Sequence, residues 1–166
     1  MLTIVRPVIA TLAVLNWVAV AAFLAIAALV TLMSDRFDAR AGAQFGERAP
    51  QMRQGLVWIL VLGSSIGIPT HVIFTRLIAM IDTARAGRPF VADNIRRLRQ
   101  IAWGVLAIQF ADLAFGYVSY WLTEMTGRVF GWNVSLTGWL AALLLFVLAR
   151  IFHQGAAMQE ELEATV

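Results

Sequence analysis

The sequence predicts an all-α fold: an integral membrane four-helix bundle, antiparallel and up-down, with N- and C-termini cytoplasmic. Three observations carry that expectation. Apolar residues make up 60% of the chain, charged residues 14%, and mean hydropathy is +0.76. An average soluble domain is about half apolar and about one quarter charged, so a chain of this size cannot bury the excess in one water-soluble core. The excess is gathered into blocks of about twenty residues or more, the length that crosses a bilayer. Charges fall mostly between the blocks, and short connections imply antiparallel neighbours. The expected spans are about 8–33, 55–84, 95–122 and 134–153, in one domain over 1–166 with a cytoplasmic helical tail over 154–166.

Residues Pro7 to Ser34 carry no charge, and Pro7 suits the first turn of a helix. The apolar core is longer than that of a cleaved leader, so a retained first span is expected. Asn16 is its one strongly polar interior residue. Ala21, Ala25 and Ala28 form a small-residue stripe suited to helix packing. Asp35 to Arg53 is polar, nearly balanced in charge and broken by Gly42, Gly46 and Pro50. It reads as a solvated loop with a short amphipathic turn around Phe37 to Phe45.

The second span runs from Gln54 and continues as helix to about Arg85. Gly63 and Gly67 make a Gly-x-x-x-Gly pair that admits close helix approach. Pro69 removes a backbone donor and should kink the helix near Ser65. Ser64, Ser65, Pro69, Thr70 and His71 form either a polar site or, as the blander and preferred reading, a packing notch.

Between spans two and three lies a basic corner: Arg88, Pro89, Phe90, Asp93, Asn94, Arg96, Arg97 and Arg99. Gly87 can take the left-handed conformation that ends a helix. Asp93 and Asn94 can cap or charge-match the next one. Taken blandly, the corner is a topology signal that meets anionic headgroups. All thirteen basic residues are arginine. Codon usage in a GC-rich genome accounts for that, although arginine also suits bidentate phosphate or carboxylate partners.

The third span contains Gln109 and Asp112. A mid-span aspartate costs roughly 2.5–3.5 kcal/mol on insertion scales, which makes Asp112 a functional candidate by default. A bond to Ser64 or Ser65 is the bland alternative. Aligning Leu56 with Leu122 and counting inward at about 1.5 Å per residue puts Asp112 level with about Ile66. His71, Gln109 and Asn16 then lie nearer the other face, so a polar seam from Asp112 toward His71 is geometrically possible.

Arg150 closes the uncharged part of the fourth span, and the helix is expected to continue through Phe152 and His153 into the tail. Trp58, Trp121 and Trp132 gather at one set of span ends and Trp103 at the other, as an aromatic belt requires. Arginines tight against the span ends are more numerous on the side of the corner, which places that side in the cytoplasm. The same topology brings Glu160, Glu161 and Glu163 to the side of the corner, where they can form a tail latch. Surface ion pairs are worth roughly 0–1 kcal/mol each, so a latch needs apolar support from residues such as Phe90, Phe152, Met158 or Leu162.

Two stretches resemble a bacterial four-span membrane family catalogued as domain of unknown function 2975. One is Gly87-Arg88-Pro89-Phe90-Val91-Ala92-Asp93-Asn94 with Arg97-Leu98-Arg99-Gln100-Ile101. The other is the closing stretch Leu148-Ala149, Phe152, Gly155, Glu161, Glu163 and Thr165-Val166. Asp93 stands where many members have glutamate. The resemblance implies placement in the bacterial inner membrane. It also implies frequent genomic proximity to a small helix-turn-helix regulator, an association and not a mechanism.

The expected function is that of a non-enzymatic interaction, sensor or regulatory partner acting through its cytoplasmic face. The alternative is a small transporter or proton- or ion-conducting protein using Asp112 and His71. No nucleophile-base pair, metal cluster or phosphate loop is visible, so no catalytic residue, metal or cofactor is assigned. With no cysteine, disulfides and thiolate metal sites are excluded. Partners are expected to be the lipid bilayer and a cytoplasmic or membrane protein, with homo-oligomers permitted and no direct contact with nucleic acid.

Overall fold

The computed structural model describes residues 2–87 and 91–164, with side chains over 5–87 and 91–155. Among the described residues six α-helices follow in order: α1 Leu2–Leu32, α2 Ser34–Phe45, α3 Ala49–Ser65, α4 Gly67–Arg85, α5 Ala92–Thr126 and α6 Leu136–Ala164. A 3-10 turn, Gly46–Arg48, joins α2 to α3, and among the described residues there is no strand. Four helical stretches are long and apolar enough to cross a membrane: Val5–Leu32, Ser34–Arg85, Ala92–Thr126 and Leu136–Gly155. Their outer faces are apolar. Val14 is 64% exposed, and Leu140, Leu144 and Ile151 are each more than half exposed. Such faces suit hydrocarbon and not water, and the chain is a membrane protein.

Several boundaries differ from those expected. Helix α1 starts early enough that Pro7 lies inside it. Pro7 has no N–H to donate to the carbonyl one turn back, while its own carbonyl accepts from Thr11 Oγ1 at 3.0 Å. The expected loop after span one is mostly helix α2. Phe37, Ala41 and Phe45 recur every four residues and line one cavity with Leu29, Val30 and Met33. That periodicity outweighs Gly42, which sits in the helix interior. The break between α3 and α4 falls at Ile66, a turn residue. Pro69 has no N–H to reach the Ser65 carbonyl, which accounts for the break. Gly87 at φ 73° follows the end of α4, and Gly127 at φ 69° follows α5. Both hold the left-handed conformation in which a Cβ is disfavoured.

The chain forms two compact units. One combines Trp17–Gly67 with Phe110–Val134. Within it, Leu122 of α5 is fully buried against Gly55 of α3, where a Cβ has no room. Phe23 of α1 lies on Gly63, at 2.9 Å from where a Cβ would stand. Of the α1 alanines, Ala27 is the buried one; Ala21, Ala25 and Ala28 are exposed. The expected small-residue stripe is therefore not this unit's packing face. Arg53 pairs with Asp38 at 3.0 Å, tying α2 to α3, and the Arg128 guanidinium stands 4.8 Å over the Phe45 ring.

The other unit combines the start of α1, Ile68–Gln109 and α6. In it, Arg6 pairs with Asp82 at 3.0 Å. Gly104 of α5 receives Ile73 and the Pro69 carbonyl of α4, and Gly138 of α6 receives the Gln109 amide. Trp103 and Phe146 meet edge to face at 5.3 Å.

Candidate functional site

The buried stripe of α5 begins at its first turn: Asn94, Ile95, Leu98, Ile101 and Ala102 are all buried. Asn94 lies on that stripe and is 2% exposed, so its amide needs protein partners. Its Oδ1 accepts from Arg97 Nη1 at 2.8 Å, and its Nδ2 donates to Thr83 Oγ1 at 2.8 Å. The Thr83 hydroxyl in turn donates to the Met80 carbonyl at 2.9 Å. Arg97 Nη1 also donates to the Ala79 carbonyl at 3.1 Å, a second bond from α5 across to α4. This network clasps the end of α4 to the start of α5.

The clasp divides the predicted corner residues into two sets. Asn94 and Arg97 hold helices together, whereas Asp93, Arg96 and Arg99 are exposed. Asp93 pairs with Arg96 one turn along. Neither Asp93 nor Asn94 stands before α5 as a cap, because the helix already starts at Ala92; Asp93 lies in its first turn, where its charge matches the helix dipole. Arg88, Pro89 and Phe90 lie outside the described residues, as do the side chains of Glu160, Glu161 and Glu163; the backbone of α6 runs helically through Ala164. Sequence reasoning missed Thr83. The available signal was the register of Asn94 with the apolar stripe of α5, which marks it as a core amide in need of a partner.

The intramembrane polar residues fall into two groups by unit. In one, Ser64 and Ser65 donate to the Val61 and Leu62 carbonyls, each at 2.7 Å. Thr31, Thr123 and Thr126 bond back to their own helices in the same way. Such back-bonding satisfies a hydroxyl where no water is at hand. Asp112 is half-buried and lines a cavity of about 340 Å³ with Phe23, Ile59, Leu62, Ile66 and Phe115. Among the described residues, no other titratable group lines that cavity. Asp112 is held by neither serine. Trp132 Nε1 donates to its Oδ1 at 3.3 Å, and the indole lies on Gly116, one turn along α5. The connection after α5 is further fixed by the Phe130 N–H, which donates to Thr123 Oγ1 at 3.1 Å. Trp132 is thus a packing anchor whose indole lies beside Gly116, inside α5 and not at the span end where an aromatic belt would put it.

In the other unit, Asn16 and His71 are half-buried, and the His71 carbonyl accepts from Thr75 Oγ1 at 2.9 Å. Gln109 is 8% exposed, and its Oε1 is buried with no hydrogen-bond donor. Among the described residues, no three His, Asp or Glu side chains gather as a metal ion would require.

A family model described as protein of unknown function, DUF2975, matches residues 40–166. The chain belongs to this family. The matched region takes in the clasp and Asp112. No curated protein and no solved structure shows significant similarity to the chain.

Proposed function

We propose that this DUF2975 member is a non-enzymatic adaptor of the bacterial inner membrane. Its α4–α5 corner faces the cytoplasm and engages an acidic surface of a cytoplasmic or membrane protein. The observation that carries this reading is the division among the corner arginines. Arg97 is committed to the clasp, while Arg85, Arg96 and Arg99 are exposed on a backbone that the clasp holds still. Charges presented from a fixed scaffold lose less freedom on binding than charges on a mobile loop. The Arg96–Asp93 pair is exposed, and such pairs exchange readily for a partner's carboxylate. Two contacts, one in each unit, support an antiparallel arrangement that puts the start of α1 on the side of the corner. Arg6 at the start of α1 pairs with Asp82 near the end of α4, and Leu122 late in α5 packs on Gly55 early in α3.

The test is extraction from the native membrane in mild detergent, followed by identification of what co-purifies. A stoichiometric protein companion, lost in Arg85→Gln/Arg96→Gln but kept when exposed Arg40 is neutralised, is the expected result. A chain that emerges alone ends the adaptor reading. The second reading, a proton or ion conductor, is favoured by one observation: Asp112 stands in an otherwise apolar cavity. Flux in liposomes that Asp112→Asn abolishes, with the fold intact, would establish it.

A further inference from the structure

The geometry points to a binding site for the phosphate of an anionic phospholipid headgroup between α5 and α6. It is formed by Arg99, Arg150, His153 and Gln154, and it does not depend on the adaptor reading.

These four residues line one cavity of about 380 Å³ with Phe146 and Ala149. The two arginines come from different helices. Each has an aromatic residue one turn away on its own helix: Trp103 follows Arg99, and Phe146 precedes Arg150. Those rings meet edge to face at 5.3 Å. The two helices therefore present matched levels about 6 Å apart, one aromatic and one cationic. Ring planes at the carbonyl level and guanidinium forks at the phosphate level are the order a bilayer interface requires.

Among the described residues, no carboxylate lines the cavity. Among the described residues, the ion pairs use Arg6, Arg53 and Arg96, and none uses Arg99 or Arg150. Two like charges facing one cavity repel, and an anion between them removes the repulsion. A guanidinium binds two phosphate oxygens at once, and the Gln154 amide adds a further donor.

The depth selects a lipid over free phosphate. Arg150 is the first charge after the uncharged stretch 129–149, which fixes it at the headgroup level. Leu143 and Val147 of α6 precede Arg150 and Gln154 on the same helix face, are exposed, and supply an apolar track for acyl chains.

The full chain is delipidated in detergent, titrated with phosphatidylglycerol, and scored for retained lipid by native mass spectrometry. One phosphatidylglycerol is expected to remain bound, in preference to phosphatidylcholine. Arg99→Gln and Arg150→Gln should each weaken retention about fivefold, and Arg96→Gln, an equal charge loss outside the cavity, should not. Arg99→Lys keeps the charge but loses the fork and is expected to weaken retention less, which keeps the test informative where a glutamine variant does not fold. Excess inorganic phosphate should fail to displace the lipid. Equal retention of phosphatidylcholine, indifference to Arg99→Gln, Arg150→Gln and Arg99→Lys alike, or occupancy by inorganic phosphate without lipid would each overturn the proposal.

Discussion

At Asn94 a single amide, 2% exposed, mediates between a guanidinium on its own helix and a hydroxyl on the helix before it. Asn94→Ala strips a partner from both Arg97 and Thr83. Leaving a buried group unpaired costs about 1–3 kcal/mol, and more for a charge. The expected outcome is a clear drop in melting temperature in detergent. Asn94→Asp should cost less, because Oδ1 still accepts from Arg97 and the oxygen that replaces the Nδ2 donor can accept from the Thr83 hydroxyl once that turns. Asp112 follows the same logic. Trp132→Phe keeps a ring on Gly116 but removes the indole N–H, so the carboxylate loses its 3.3 Å donor. Destabilisation by about 1–3 kcal/mol is expected, read as the shift in midpoint on denaturant titration. Asp112 was visible in the sequence as an expensive mid-span charge. Its partner was not, because Trp132 lies twenty residues on, beyond a connection whose path no periodicity encodes.

Among the elements, α3 and α5 meet where Leu122 fills the space a Cβ on Gly55 would take. Gly55→Ala should displace a fully buried side chain, and Leu122→Ala should leave a void. Combined, each change relieves the other. A coupling of about 0.5–3 kcal/mol between the two is expected from a double-mutant cycle on thermal stability. The contact was half legible. Counting from Leu56 and Leu122 put Asp112 level with Ile66, and those two residues do line one cavity. Glycine at 55 carried no motif of its own and could not be told from a neutral position. The break near Ser65 followed directly from Pro69, whose missing N–H is a local property. Helix α2 was hidden for the opposite reason: Gly42 reads locally as a breaker, while the apolar faces of Phe37 and Phe45 take their meaning from Leu29 and Met33 on α1.

For the molecule as a whole, span number and helical class were legible because hydrocarbon leaves the backbone few alternatives to a helix. Sidedness remains a matter for labelling, and a chain without cysteine is a clean background for it. With an impermeant maleimide on intact cells, Ala86→Cys should react only after the membrane is opened, and Ala43→Cys before. The reverse pattern would invert the topology. The clasp also bears on how the protein is made. Thr83 and Asn94 are separated by 11 positions, and Ala79 and Arg97 by 18. Contacts so close in sequence need little loop closure and form early. The α4–α5 hairpin can therefore close during synthesis, before α6 has left the ribosome. The last helix would then meet a partner already formed on its arrival in the bilayer.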